Sequence, residues 1–232
     1  MKSPSKLWLI LLSFLFLGVL GYTQEVEKGA NTPPLILLIQ NNSNLQMIKN
    51  FVAKHPASVA LPKADQVGKN LGTPLHHACF GGRKEIIAFL LSVGADPNCR
   101  DSADKTPFHS AAVTTDPETL QLLIRHGADI NARSYGRISP VLEIFSAVGF
   151  ERTDQDAIME ENLRFLLPIS NLTDEDVSTM IDFTKAIKDI SPSTVIQSRR
   201  RKLLIVKQFL DDKVRGNEAL NEFIASLDRT KK

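Results

Sequence analysis

The stretch Gly72-Thr73-Pro74-Leu75-His76-His77-Ala78 decides the fold, because it returns 33 residues later as Lys105-Thr106-Pro107-Phe108-His109-Ser110-Ala111. Each copy closes on a second shared phrase. In the first it is Val93-Gly94-Ala95-Asp96-Pro97-Asn98, and in the second His126-Gly127-Ala128-Asp129-Ile130-Asn131. A phrase repeated at a fixed period of this size predicts a stack of like units, none able to bury its apolar face alone. Such a chain is expected to work through its surface more than through reactive groups.

Each repeated residue has a local reason. Thr73 and Thr106 are placed to cap a helix. Pro74 and Pro107 follow at the first turn, where a missing N–H costs nothing. Leu75 and Phe108 turn inward, while Ala78, Ala111 and Ala112 keep the helix slim enough for neighbours to stack. A second helix follows in each unit, with apolar stripes of Ile86, Ile87, Leu90 and Leu91, then Leu120, Leu122, Leu123 and Ile124. Gly94 and Gly127 stand where a left-handed residue ends a helix. Asp96-Pro97-Asn98 and Asp129-Ile130-Asn131 lead to the next unit.

These residues resemble the ankyrin repeat: Thr73-Pro74-Leu75-His76 with Ala78, Thr106-Pro107-Phe108-His109 with Ala111, Gly94-Ala95-Asp96 and Gly127-Ala128-Asp129. The resemblance implies an all-α fold, an ankyrin-repeat solenoid of helix-turn-helix repeats with β-turn tips, here with a C-terminal helical cap. It also implies a structural role for His76 and His109, bonding the capping threonine and the adjacent loop, in preference to metal ligation. About four repeats are expected over 31–168. A degenerate first unit holds Leu35, Leu37, Leu38 and Ile39, then Leu45, Met47, Ile48, Phe51 and Val52, with His55-Pro56-Ala57 replacing the usual closure. A fourth begins at Ser139-Pro140-Val141-Leu142, with a polar insertion over Glu151-Arg152-Thr153-Asp154-Gln155-Asp156 that is either neutral or a binding feature. Residues 169–232 form a helical region, a cap or a divergent fifth repeat. Thr173-Asp174-Glu175-Asp176 reads as a capping box there.

The N-terminus reads as a separate segment. Lys2 and Lys6 precede the apolar run Leu7–Leu20, with Val19 and Gly21 as small residues before a cut near Tyr22. This is the form of a secretory signal peptide over 1–21. The rival is a membrane anchor over 7–20, although 14 residues fall short of the roughly 20 a spanning helix needs. Removing 1–21 takes away two cations and no acid, so 28 Lys+Arg against 26 Asp+Glu becomes 26 against 26. A neutral chain gives no general electrostatic case for nucleic acid.

Motifs of catalysis do not stand out. There is no nucleotide-binding glycine loop, no His-Glu-x-x-His and no G-x-S-x-G elbow. Cys79 and Cys99, the only two cysteines, read as free packing residues or as one bridge. Arg199-Arg200-Arg201-Lys202 reads as a solvated helix face, or as a contact for phosphate, acidic membrane or acidic protein. Asn41-Asn42-Ser43 and Asn171-Leu172-Thr173 fit the glycosylation acceptor pattern.

The expected function is therefore non-catalytic protein binding outside the cytoplasm, by a monomer, with no cofactor, no metal and no nucleic acid. Membrane contact is expected only if the N-terminal segment is retained. In the family, partners touch turn tips and the inner-helix face. The matching positions are Arg100, Asp101, Asp104 and Lys105 in one tip, and Arg133, Ser134, Tyr135 and Arg137 in the next. His77, Phe80 and Arg83 are candidates on the helix surface. The rival classes are a passive adaptor for an envelope protein and, more remotely, an enzyme.

Overall fold

The computed structural model describes residues 34–60, 72–147, 153–187, 193–212 and 217–228. The expected signal over 1–21 lies outside the described residues. The chain divides into two compact units, one over 26–140 and one whose described part begins at Val141.

The first unit is built of helix pairs. Helices α1 (Pro34–Gln40) and α2 (Leu45–Lys54) form the first pair, followed by a 3-10 turn over Pro56–Ala60. Helices α3 (Pro74–Phe80) and α4 (Lys84–Ser92) form the second, and α5 (Pro107–Thr114) and α6 (Pro117–Arg125) the third. The first members α1, α3 and α5 pack side by side, and α2, α4 and α6 make a parallel second layer. Leu75, Ala78, Phe108 and Ala111 lie between neighbours with no exposed surface. The alanines matter as much as the large residues, since a larger side chain there would force the inner helices apart.

Both repeats start and stop by the same devices. Thr73 N–H donates to His76 Nδ1 at 3.0 Å, and Thr106 N–H to His109 Nδ1 at 3.0 Å. At the other end Gly94 and Gly127 take φ of 89° and 87°, in the left-handed region that favours glycine. Ala95 N–H then reaches Leu90 O, and Ala128 N–H reaches Leu123 O, so otherwise orphan carbonyls are satisfied. Asn98 carries the register forward. Its Nδ2 donates to Gly127 O and its Oδ1 accepts from Asp129 N–H, each at 2.8 Å.

One part of the expected fold class is corrected. Among the described residues no β-strand occurs, so the tips do not form β-type structure. The tip before α5 is a loop held by an aspartate side chain, and the next is a 3-10 turn over Tyr135–Arg137. The apolar stripes are also narrower than the sequence suggests. Met47 is 51% exposed and Leu37 is exposed, while Leu122 and Ile124 are only half-buried.

The second unit contains α7 (Pro140–Ser146), α8 (Thr153–Leu166), α9 (Asp174–Ile187), α10 (Ser193–Asp212) and α11 (Glu218–Asp228). Helices α8 and α10 pack together, and α11 packs on α9 and α10. Its core holds Met159, Leu163, Met180, Leu203, Val206 and Leu220. The capping box is present: Thr173 N–H donates to Asp176 Oδ2 at 3.0 Å and Asp176 N–H to Thr173 Oγ1 at 3.2 Å.

Two expectations about this region change. The polar insertion is not wholly a loop, because Thr153 to Asp156 form the first turn of α8. Nor is Arg199–Lys202 solvated throughout: Arg201 is exposed and pairs with Glu160, but the two ends of the run are buried. Arg199 is 2% exposed and Lys202 1%. Their spacing puts them with Leu203 and Val206 on the inward side of α10, their carbon stems supplying apolar area. Asp156 makes this tolerable by accepting from Lys202 Nζ at 3.1 Å and Ser198 Oγ at 2.8 Å. Burial pushes the Lys202 ammonium down to about 8 and the Arg199 guanidinium down to about 10.

Candidate functional site

The tip residues predicted from sequence converge on one ledge. In the first tip, Asp101 Oδ1 accepts from Ala103 N–H at 2.8 Å and from Lys105 N–H at 2.9 Å. Asp101 N–H donates to Lys105 O, and Asp104 N–H to Asp101 O, each at 3.0 Å. This closes the loop and holds Asp104 at φ 58°, a conformation aspartate tolerates better than most non-glycine residues. In the second tip, Ser134 N–H bonds Ile138 O and Arg137 N–H bonds Ser134 O, each at 3.0 Å. Gly136 and Arg137 have φ of 75° and 63°.

Two arginines one period apart brace these loops in the same way. Arg100 Nη1 donates to Asp104 O at 2.8 Å, and Arg133 Nη1 donates to Arg137 O at 3.0 Å. Arg100 goes further and reaches Arg133 O at 2.7 Å. Tyr135 N–H adds a second tie to Ala103 O at 3.2 Å. The two tips are therefore one hydrogen-bonded body. Tyr135 projects from it with 70% of its surface exposed. Its described hydrogen bonds use backbone atoms only.

Thus Arg100, Asp101, Asp104, Lys105, Arg133, Ser134, Tyr135 and Arg137 share the ledge, with Arg100, Arg133 and Asp101 also serving as its internal braces and Ser134 buried. Arg83 is engaged elsewhere. Its Nη1 donates to Asn42 Oδ1 at 2.7 Å and its Nη2 to Ser43 O at 2.9 Å, clasping the loop between α1 and α2. Phe80 is half-buried at the end of α3. Sequence reasoning overlooked Ala103, whose carbonyl joins the tips. No side-chain signal marks a residue that acts through its backbone. It also overlooked the linking role of Asn98, for which the recurrence at Asn131 was a legible sign.

The histidines occupy structural places. Because His76 Nδ1 accepts a backbone N–H, Nε2 carries the proton and donates to Lys105 O at 3.0 Å. His109 does the same with Ile138 O at 3.0 Å. Burial is the main cause that lowers His76, and it lowers neighbouring His77 to about 4. Cys79 and Cys99 are both free thiols. Burial pushes the Cys79 thiol up, and the Cys99 thiol, mainly through burial with Asp96 beside it, up to about 11. Neither environment favours a nucleophilic thiolate.

Among the described residues, no group of three or more His, Cys, Asp or Glu side chains is placed to hold a metal ion. No helix among them is long and apolar enough to cross a membrane. The family model described as Ankyrin repeats (3 copies) matches residues 19–134, which takes in both repeated phrases and the ledge up to Ser134. No curated protein matches the chain.

Proposed function

Because the chain belongs to the ankyrin-repeat family, we propose that it is a non-catalytic protein-binding module whose contact surface is the ledge formed by residues 100–105 and 133–137. The repeat architecture supports protein–protein interaction in general. The observation that carries the narrower reading is Tyr135, an aromatic side chain 70% exposed on a backbone fixed by hydrogen bonds. A large ring held out on a rigid support contributes contact area with little loss of conformational freedom. Arg137 and Arg133 flank it with directional donors.

The repeat region is proposed to extend over 31–168, with α7 opening a fourth unit. Supporting this, Pro140 follows Pro107 by the same 33 residues that separate Pro107 from Pro74. Residues 169–232 make a further helical region, and the protein acts as a monomer. The proposed place of action is outside the cytoplasm, after removal of 1–21. That rests on Lys2 and Lys6, the apolar run Leu7–Leu20, and the small residues Val19 and Gly21. Intact-mass measurement of the exported protein tests it, and a mass that retains Leu7–Leu20 selects the anchor reading.

The ledge itself is tested by affinity capture with the native chain and with Tyr135→Ala and Arg137→Ala. Loss of a specific partner with unchanged melting supports the placement. Capture that is indifferent to both substitutions removes it.

A further inference from the structure

We infer that the trough between α8 and α10 takes an amphipathic helix of a protein partner, with an acidic side chain of that helix against Arg164. The trough belongs to the second unit, so it is a surface additional to the ledge.

The trough encloses about 550 Å³, and one face of each helix lines it. On α8 that face holds Glu160 and Arg164, with Leu167 just beyond, at the i, i+4, i+7 spacing of a shared face. On α10 it runs from Arg201 to Asp212, a length of about 16 Å. Leu204, Ile205 and Phe209 form an apolar strip along it and are only half-buried, whereas Leu203, Val206 and Leu210 on the same helix are covered. An apolar strip of that length between two packed helices has the shape that a third helix fills, its side chains entering between theirs.

The rim decides the charge of the occupant. Arg201 Nε donates to Glu160 Oε1 at 2.6 Å, and Gln208 Nε2 donates to Asp212 Oδ1 at 2.8 Å. These groups are engaged by their neighbours. Arg164, one turn beyond Glu160, is exposed and has no hydrogen-bond or ion-pair partner among the described residues. It is the cation left for a ligand, and its fork of donors matches a carboxylate. Because Arg164 stands beside the apolar strip, the acid must lie next to the apolar face of the occupant. An amphipathic helix meets that demand, with apolar residues three and four positions from the acid. Asp212, the last residue of α10, keeps its charge and suits a base further along the same partner helix.

Selection from a display library of helix-forming peptides about 15 residues long, on the full chain, tests this. Arg164→Glu and Tyr135→Ala run in parallel, the second to set aside peptides that bind the ledge. Peptides indifferent to Tyr135→Ala are expected to carry an Asp or Glu with apolar residues three and four positions away. They should bind Arg164→Glu about tenfold more weakly, and changing their acid to Lys should recover that loss. Changing the acid to Gln, with the native protein, should also weaken binding about tenfold, which keeps the test valid if Arg164→Glu alters the melt. A selection without peptides that Arg164→Glu weakens overturns the inference, as does a loss that the Lys exchange does not recover. Displacement of the peptides by dodecanoate at equal concentration overturns it too, since the trough would then hold a fatty acid. Light scattering that shows a dimer broken by Arg164→Glu gives the trough to a second copy and likewise overturns it.

Discussion

His76 Nε2 lies 3.0 Å from the backbone oxygen of Lys105, and 33 residues on His109 Nε2 holds the oxygen of Ile138 at the same distance. Each imidazole thus spans from its own threonine cap to the loop that opens the next helix. Only the neutral ring, with Nδ1 accepting and Nε2 donating, satisfies both ends.

Acid should therefore weaken the stack. In the unfolded chain histidine protonates near its ordinary value of about 6.5, whereas folded His77 does so only near 4 and His76 below the ordinary value. Between those values the unfolded state binds more protons, so stability falls as pH drops from about 6.5 towards 4. Above 6.5 these groups contribute no pH dependence. Urea melts at pH 7.5, 6 and 4.5 should show a declining midpoint, with a smaller decline in His77→Gln.

His109→Ala removes the acceptor for Thr106 N–H and the donor to Ile138 O in a site with no exposed surface. The loss should be about 2–4 kcal/mol, since buried partners are left unsatisfied. Chemical denaturation reads it directly, and the equivalent His76→Ala should follow the same direction.

Gly94→Ala puts a Cβ on a residue at φ 89°. No atom stands within 4 Å to clash with it, so the penalty is one of backbone conformation alone. A loss of about 1 kcal/mol is expected. An equal loss at Gly127, φ 87°, would show that the two caps are equivalent.

Asp156→Asn should destabilise the second unit more than a surface charge change would. It weakens the counter-charge to Lys202, 2% exposed at its side chain, and leaves Arg199 buried nearby. Breaking such a pair typically costs about 3–5 kcal/mol. Lys202→Met added to Asp156→Asn should restore much of it, because the buried charge goes with its partner. A double variant no more stable than Asp156→Asn would show that the packing of Asp156, and not its charge, matters.

The repeated phrases made the first unit legible because their signals are local. Threonine caps, proline first turns, alanine stacking positions and glycine stops each act within a few residues of themselves. The candidate residues over 100–105 and 133–137 fall in the two bonded tips because the repeat period fixes where each tip lies. The bonds of Arg83 were not legible, because they depend on Asn42 and Ser43, some forty residues away in sequence. Within the basic run, Arg199 and Lys202 were misread for a related reason. Composition shows four adjacent charges, but only the docking of α8 shows that Asp156 neutralises one of them in the interior.

Hydrogen–deuterium exchange of the full chain, with and without the protein that it captures through Tyr135, tests the central claim most directly. Slower exchange at the backbone N–H groups of Ala103, Asp104, Lys105, Tyr135 and Arg137 is the expected result. Protection confined to residues beyond Val141, with these five unchanged, would contradict the assignment of the ledge as the binding surface.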